Sequence, residues 1–219
     1  MTAPHPAFSR PERVVLEGRY VRLEPLALSH LDGLWSASST ADGPERYRWL
    51  YDEPPQSRDE LAAWIGWASK SEDPIYYGIV EQASGQCLGR QSYLRISPKD
   101  GVIEVGGIFW GPRMARTRLA TEALYLSARY AFETLGNRRF EWKCNNRNAP
   151  SKRAAERFGF TFEGIFRQHT IQKGENRDTA WFSMLDSEWP TRKAGFEAWL
   201  APANFDAEGR QKARLAFPG

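Results

Sequence analysis

The segment from Gly101 to Asn145 restricts the fold more than any other part of the chain. It opens with an apolar run, VIEVGGIFW. A helical pattern follows from about Thr117 to Leu135 and stops at Gly136. The segment closes with RRFEWKCN, in which Phe140, Trp142 and Cys144 alternate with Glu141, Lys143 and Asn145. Strand, helix and strand in that order make a crossover, which sets the two strands parallel through a right-handed connection. Gly136 suits the left-handed stop at a helix C-terminus. Gly106 and Gly107 fall inside the first apolar run. Paired glycines weaken a strand and mark a bulge or a close approach of another backbone.

The joint between the first strand and the helix, WGPRMARTRLATEA, raises a problem of charge. Arg113, Arg116 and Arg118 crowd the helix start, and no acid appears until Glu122. A helix N-terminus carries partial positive charge and favours Asp or Glu. A bound anion would remove the conflict, because the free N–H groups there take phosphate readily. A solvated basic loop is the alternative. The chain has no GxxxxGK followed by Ser or Thr, and no GxGxxG after a strand, so the P-loop and dinucleotide fingerprints are excluded.

On either side the chain reads as hairpins and short helices. Tyr20–Leu26 alternates as an opening strand, and SHLDGLWSAS reads as a helix capped by Ser29. DGPERYRWLYDEPP is a Pro-bounded loop carrying Tyr47, Trp49 and Tyr51. SRDELAAWIGWASK has a capping box at Ser57 and Glu60 and an apolar stripe of Leu61, Trp64, Ile65 and Ala68. IYYGIVEQ and QCLGRQSYLRI form a hairpin, and APSKRAAERF is a helix closed by Gly159. FTFEGIFRQHTI and TAWFSMLD form a last hairpin around KGENRD, before a C-terminal helix in EWPTRKAGFEAWL. The fold class is α/β: a mixed, mostly antiparallel sheet flanked by helices. Residues 1–13 are expected to be flexible, 14–190 to form one domain, and 191–219 to add a helix and an unstructured polar tail.

Composition excludes several classes. A net charge of +3 is too small to indicate a nucleic-acid binder. Cys87 and Cys144 lack metal-ligand spacing, so neither a metal site nor a disulfide framework is expected. No run reaches ~18 apolar residues, so no membrane span is expected. MTAPHPAFSRPE lacks an apolar secretory core, which makes the cytoplasm the expected address.

Four segments, EVGGIFWGP, RTRLATEAL, NNRNAPSKRAAERFGFTFEG and RDTAWFSMLDSEW, together resemble the GNAT N-acetyltransferase superfamily. Within it they resemble the Rim-type branch, which includes ribosomal-protein N-terminal alanine acetyltransferases. The resemblance covers about Val14 to Pro190. It implies a sheet with a splayed central strand pair, acetyl-coenzyme A lying in the splay as co-substrate, and direct acetyl transfer within a ternary complex. The acceptor implied is a primary amine, on a protein N-terminus or a small molecule, and a homodimer is compatible with it. The family's phosphate loop starts with Gln or Arg and has a central Gly and a closing Ala. The matching window is Ala115–Ala120, followed by TEA, with Ala115 in place of the first residue and Arg118 in place of the Gly. Gly lets a backbone approach a phosphate closely; Arg needs a suitable φ and adds its own charge. Asn148, Ser151, Gly159 and Phe160 match a second family motif, whose Asn bonds the pantetheine arm. The coenzyme residues so implied are Ile108, Phe109, Trp110, Arg113, Arg116, Thr117, Arg118, Leu119, Ala120, Thr121, Asn148 and Ser151. Ser151 and Gly159 also read as plain helix boundaries, and Lys152 and Arg153 as phosphate ligands or a solvated face.

Acetyl transfer from a thioester needs a neutral amine, a donor for the tetrahedral oxyanion and a proton for the departing thiolate. A lysine-type amine, with pKa ~10.4, needs a base more than an α-amine at ~8. Glu104, among apolar neighbours on the strand before the basic joint, is the leading base; Glu141, one strand across, competes. Strand N–H groups near Ile108 are candidate oxyanion donors. Many family members use a Tyr as acid where this chain has Ala155, and the Rim-type resemblance points instead to Ser151. Cys144 has no neighbouring His in sequence and reads as a buried strand residue rather than a nucleophile. The acceptor is expected beneath the aromatic loop, near Trp49, Tyr51, Glu141 and His169. The altered loop and the missing Tyr keep a second reading open, a non-catalytic acyl-coenzyme A sensor.

Overall fold

The computed structural model describes residues 8–218, and within them one sheet of eight strands organises the chain. The strands are β1 (Leu16–Glu17), β2 (Val21–Pro25), β3 (Ile75–Glu81), β4 (Cys87–Ser97), β5 (Val102–Trp110), β6 (Arg139–Asn145), β7 (Thr161–Gln172) and β8 (Glu175–Leu185). Their spatial order is β1-β2-β3-β4-β5-β6-β8-β7. Neighbours are antiparallel throughout except β5 and β6, which are parallel. The helices are α1 (Leu31–Ser38), α2 (Gly43–Tyr47), α3 (Arg58–Ala68), α4 (Arg118–Arg129), α5 (Ala149–Arg157) and α6 (Trp189–Leu200).

The two faces of the sheet have separate cores. Leu34 from α1 and Leu61, Ile65 and Ala68 from α3 pack on Tyr76, Val80 and Cys87. On the other face the larger core joins Val21, Leu23, Ile79, Ile103, Phe140, Trp142 and Phe182 to α4 and to Trp189, Phe196 and Trp199 of α6. Residues 119–128 of α4 are all buried. That explains its acid: Glu122 is 4% exposed and accepts from the backbone N–H groups of Arg19, Tyr20 and Val21 at 2.9, 2.6 and 2.7 Å. It ties the turn between β1 and β2 to the helix.

The crossover has the expected form and one decisive irregularity. β5 and β6 pair through only four positions, Val102–Val105 against Arg139–Trp142. Beyond them β5 runs on to Trp110 and β6 to Asn145 without pairing, so the strands splay. On its other side β5 slips by one residue against β4 between Arg90 and Ser92. Gly107 takes the extra position at φ +57°, and a Cβ there would lie 3.0 Å from Ser92 Oγ. This is the bulge that the paired glycines announced.

Several boundaries differ from the sequence reading. Ser29 does not cap α1; a short 3₁₀ turn, Leu28–His30, leads into it. Part of the aromatic loop is helical, as α2. The last hairpin turns on two residues, Lys173 and Gly174, at φ +52° and +77°, a pair that matches strand twist. Of the N-terminal segment expected to be flexible, residues 1–7 lie outside the described residues, but 8–13 are tied down: Ser9 N donates to Leu135 O, and Tyr77 Oη donates to Glu12 O at 2.8 Å. The tail after α6 folds back as a small hairpin. Trp199 Nε1 donates to Gln211 Oε1 and Ala213 O at 3.1 and 3.0 Å, and Asn204 Oδ1 accepts from Ala213 N at 2.8 Å. Backbone bonds, these side-chain bonds and the single buried ring of Phe205 hold it without any apolar periodicity, which is why its polar sequence suggested no structure. A boundary at residue 190 falls inside α6, whose aromatic residues belong to the main core.

Candidate active site

The splay opens a cavity of about 1240 Å³. Its floor is the diverging part of β5 and β6, from Glu104 to Trp110 and from Trp142 to Cys144. The N-termini of α4 and α5 close one side, the loop after α2 the other, and the C-terminal hairpin overhangs one end.

The α4 end is basic. Arg116, Arg118, Arg153 and Arg157 line it, and none forms an ion pair with a described acid. Thr117 caps α4, its Oγ1 accepting from Leu119 N at 3.1 Å. The left-handed residue in this loop is Arg116, at φ +65°, not Arg118, which is the first residue of the helix. The conformation that glycine would favour therefore falls two residues before the expected substitution. Arg118 is held flat, its guanidinium 4.4 Å from the Tyr20 ring centroid and 5.2 Å from that of Phe205. Arg113 leaves the group: it reaches Glu81 and Gln86 at 2.8 and 2.6 Å and does not line the cavity.

Ile108, Phe109, Trp110, Thr117, Ala120, Thr121, Asn148 and Ser151 all line the cavity. The Phe109 ring packs on Tyr47 at 4.8 Å, so it is buried away from the opening. Leu119 belongs to the core and is not in the lining. Asn148, not Ser151, caps α5, accepting from Ser151 N at 3.1 Å. Ser151 Oγ accepts from Trp142 Nε1 at 3.0 Å, which leaves the hydroxyl its own proton to donate.

Glu104 lies in the cavity wall, 5% exposed. Lys143, also in the wall, sits between two carboxylates, 3.0 Å from Glu104 Oε2 and 2.6 Å from Glu141 Oε2. Its ammonium lies 3.6 Å from the Trp181 ring centroid. Arg95 approaches Glu104 at 3.2 Å, and Arg139 holds Glu141 at 2.7 Å. Burial pushes the Glu104 carboxyl above the usual carboxylate range, against the pull of Lys143 and Arg95. Glu141 lies behind Lys143, outside the cavity. His169 is also outside it; Nδ1 meets Thr179 Oγ1 at 3.0 Å, and burial together with nearby cations lowers its pKa. Burial raises the Cys144 thiol, as it does Cys87, pushed up to about 12, so neither is poised as a thiolate.

Trp49 and Tyr51, on the loop after α2, line the cavity. Their loop is anchored from two directions. Gln172 Nε2 donates to Trp49 O at 3.0 Å, and Arg90 pairs with Asp52. Arg90 is 3% exposed, stacks on Trp64 at 4.3 Å, and donates to the bulge carbonyl, Gly107 O, at 2.9 Å.

Comparison with known proteins agrees with this geometry. Residues 21–161 match the family model described as an acetyltransferase (GNAT) domain. The chain belongs to the GNAT acetyltransferase family. A GCN5-related N-acetyltransferase from Brucella melitensis is 55% identical, with a TM-score of 0.93 over 95% of both chains. A probable acetyltransferase of the GNAT family from Chromobacterium violaceum is 37% identical, with a TM-score of 0.80 over 87% of this chain and 95% of its own. An uncharacterized N-acetyltransferase p20 from Bacillus licheniformis is 26% identical over 117 residues, 52% of this chain and 63% of that protein.

GNAT membership accounts for the splay and supplies its co-substrate, acetyl-coenzyme A. The pocket suits that molecule: unpaired arginines and a helix N-terminus at one end, and a β5 edge freed beyond Val105 in the middle. No cluster of metal-ligating side chains occurs among the described residues, and no helix there is long and apolar enough to cross a membrane. Lys143 and Arg177 in the wall, and Arg90 behind it on the Gly107 carbonyl and Asp52, were not singled out by sequence reasoning. Alternation put Lys143 beside Glu141 on one face but carried no sign that its ammonium would be buried between two acids.

Proposed function

We propose that this GNAT protein transfers an acetyl group from acetyl-coenzyme A to a primary amine by direct attack in a ternary complex. The observation that carries the reading is Glu104: a buried carboxylate of raised pKa in the wall of a cavity whose far end is an unpaired arginine cluster. Arg116, Arg118 and the N–H groups at the start of α4 take the diphosphate. The freed edge of β5 and Asn148 hold the pantetheine arm, and an N–H near Ile108 receives the oxyanion. Glu104 removes the amine proton, directly or through a water. Ser151, which keeps a donatable proton, assists the thiolate. The raised thiols of Cys87 and Cys144 argue against an acetyl-cysteine intermediate.

The TEA and NRNAPS segments favour the Rim-type branch. A ribosomal L7/L12 α-N-protein acetyltransferase shares the fold at 19% identity with a TM-score of 0.67, which supports the architecture but not its acceptor. The test is acetylation of a panel of amino acids, amines and N-terminal peptides read by mass spectrometry, with two-substrate initial rates on any acceptor found. Intersecting rate patterns and an unmodified enzyme are expected. Parallel patterns with an acetylated cysteine would replace direct attack. Coenzyme binding without turnover of any amine would leave the sensor reading.

A further inference from the structure

Arg177, on β8, has no described acid to balance it. It is 8% exposed and lines the cavity, yet it forms no ion pair among the described residues. A guanidinium presents five N–H donors. Here one bond is made, Nη1 to Gln172 Oε1 at 3.1 Å, and the buried Nε has no partner. Buried arginines are normally paired, because an isolated charge out of water is costly. The side chain is nonetheless held in a fixed place. The acceptor Gln172 is itself bound to Trp49 O, and the Tyr51 ring lies 5.1 Å from the guanidinium.

Its position decides what kind of anion is missing. Tyr51 and Trp49 line the cavity on the loop after α2, and Gln172 anchors that loop from behind. Arg118, at the start of α4, shares none of these neighbours and is engaged with Tyr20 and Phe205. In the acetyl-transfer reading the coenzyme's phosphates belong there, and its thioester and pantetheine carry no charge. The remaining molecule in the cavity is the acceptor.

We infer that Arg177 binds a carboxylate of the acceptor, so that the preferred substrate is an amine bearing a carboxylate. This rests on the acetyl-transfer reading above and adds the substrate class. The carboxylate has two sources of the same chemistry: the α-carboxylate of a free amino acid, or an acidic side chain next to a peptide N-terminus. The neighbouring walls, Trp49, Leu50, Tyr76 and Leu94, suit an apolar body between the two charges.

The test compares matched acceptors in the wild type and in Arg177→Met and Arg177→Lys. One set is phenylalanine, phenylalaninamide and phenethylamine; the other is Ala-Asp and Ala-Asn peptides with amidated C-termini. Rates are referred to the neutral amine, since the groups differ in amine pKa. A carboxylate preference of roughly 10- to 100-fold in kcat/KM is expected, from one charge-assisted contact to a buried site. It should shrink to a few-fold in Arg177→Met and be partly kept in Arg177→Lys. The set that shows it identifies the source. Equal rates across each set in the wild type would overturn the inference. So would a preference surviving in Arg177→Met, or an equal loss for charged and neutral acceptors, which would mark Arg177 as a loop support. If no amine is acetylated, the acetyl-transfer reading fails by itself. The inference is then read from thermal shifts of the coenzyme A-loaded protein with N-acetylphenylalanine and its amide, and with the N-acetylated Ala-Asp and Ala-Asn peptides. A shift confined to the acid and lost in Arg177→Met supports it; equal shifts, or none, overturn it.

Discussion

At the scale of single residues, the site depends on a contest over Glu104. Burial raises its pKa, while Lys143 and Arg95 lower it, and burial wins. The proposed base must be unprotonated to act, so the acid limb of kcat/KM is expected above the ordinary carboxylate range. Glu104→Gln should reduce turnover by ~10²–10⁴, with less loss at high pH, where the amine is already neutral. The same substitution should raise the thermal midpoint near neutral pH. A folded-state carboxyl of raised pKa opposes folding once pH exceeds its unfolded value, and Gln removes that cost. A lowered midpoint would mean that the ion pairs outweigh the burial. Lys143→Met removes a cation that favours the charged carboxylate. Its expected signature is therefore a shift of the acid limb to higher pH, and an unmoved limb would separate Lys143 from the base.

At the scale of elements, the crossover was legible and its fine geometry was not. Apolar alternation in RRFEWKCN, the long helical period of α4 and the stop at Gly136 each reflect burial on one face, and burial leaves a periodic trace. The glycine pair likewise announced the bulge, since Gly107 sits at positive φ. The left-handed conformation of Arg116 left no such trace, because the residue type there disfavours it. Arg177 was equally silent; its place in the cavity wall is set by Tyr51, distant in sequence, and by Gln172, which is tied to a remote loop. Glu122 was noticed only as the first acid of its helix, yet three backbone N–H groups converge on it. Glu122→Ala should cost about 2–4 kcal/mol, since those donors would be left buried without a partner. Chemical denaturation measures this, and a loss near zero would show that water replaces the carboxylate.

For the whole molecule, the C-terminal hairpin connects stability to the basic end of the cavity. Phe205 is 7% exposed, meets Trp199 edge-on at 5.1 Å, and forms one of the two rings against Arg118. Phe205→Ala should lower stability by about 2–4 kcal/mol and weaken coenzyme binding at the same time, because Arg118 loses a wall. Stability loss with unchanged affinity would reduce the hairpin to a structural cover. Cations gather where α4 begins because an anion binds there. Calorimetric titration of acetyl-coenzyme A into the wild type and the Arg116→Ala and Arg118→Ala variants tests this most directly. One site per chain is expected, with each substitution weakening it by about 1–3 kcal/mol for the charge-assisted bond removed. Equal affinity in all three proteins would contradict the account and leave these arginines a solvated face.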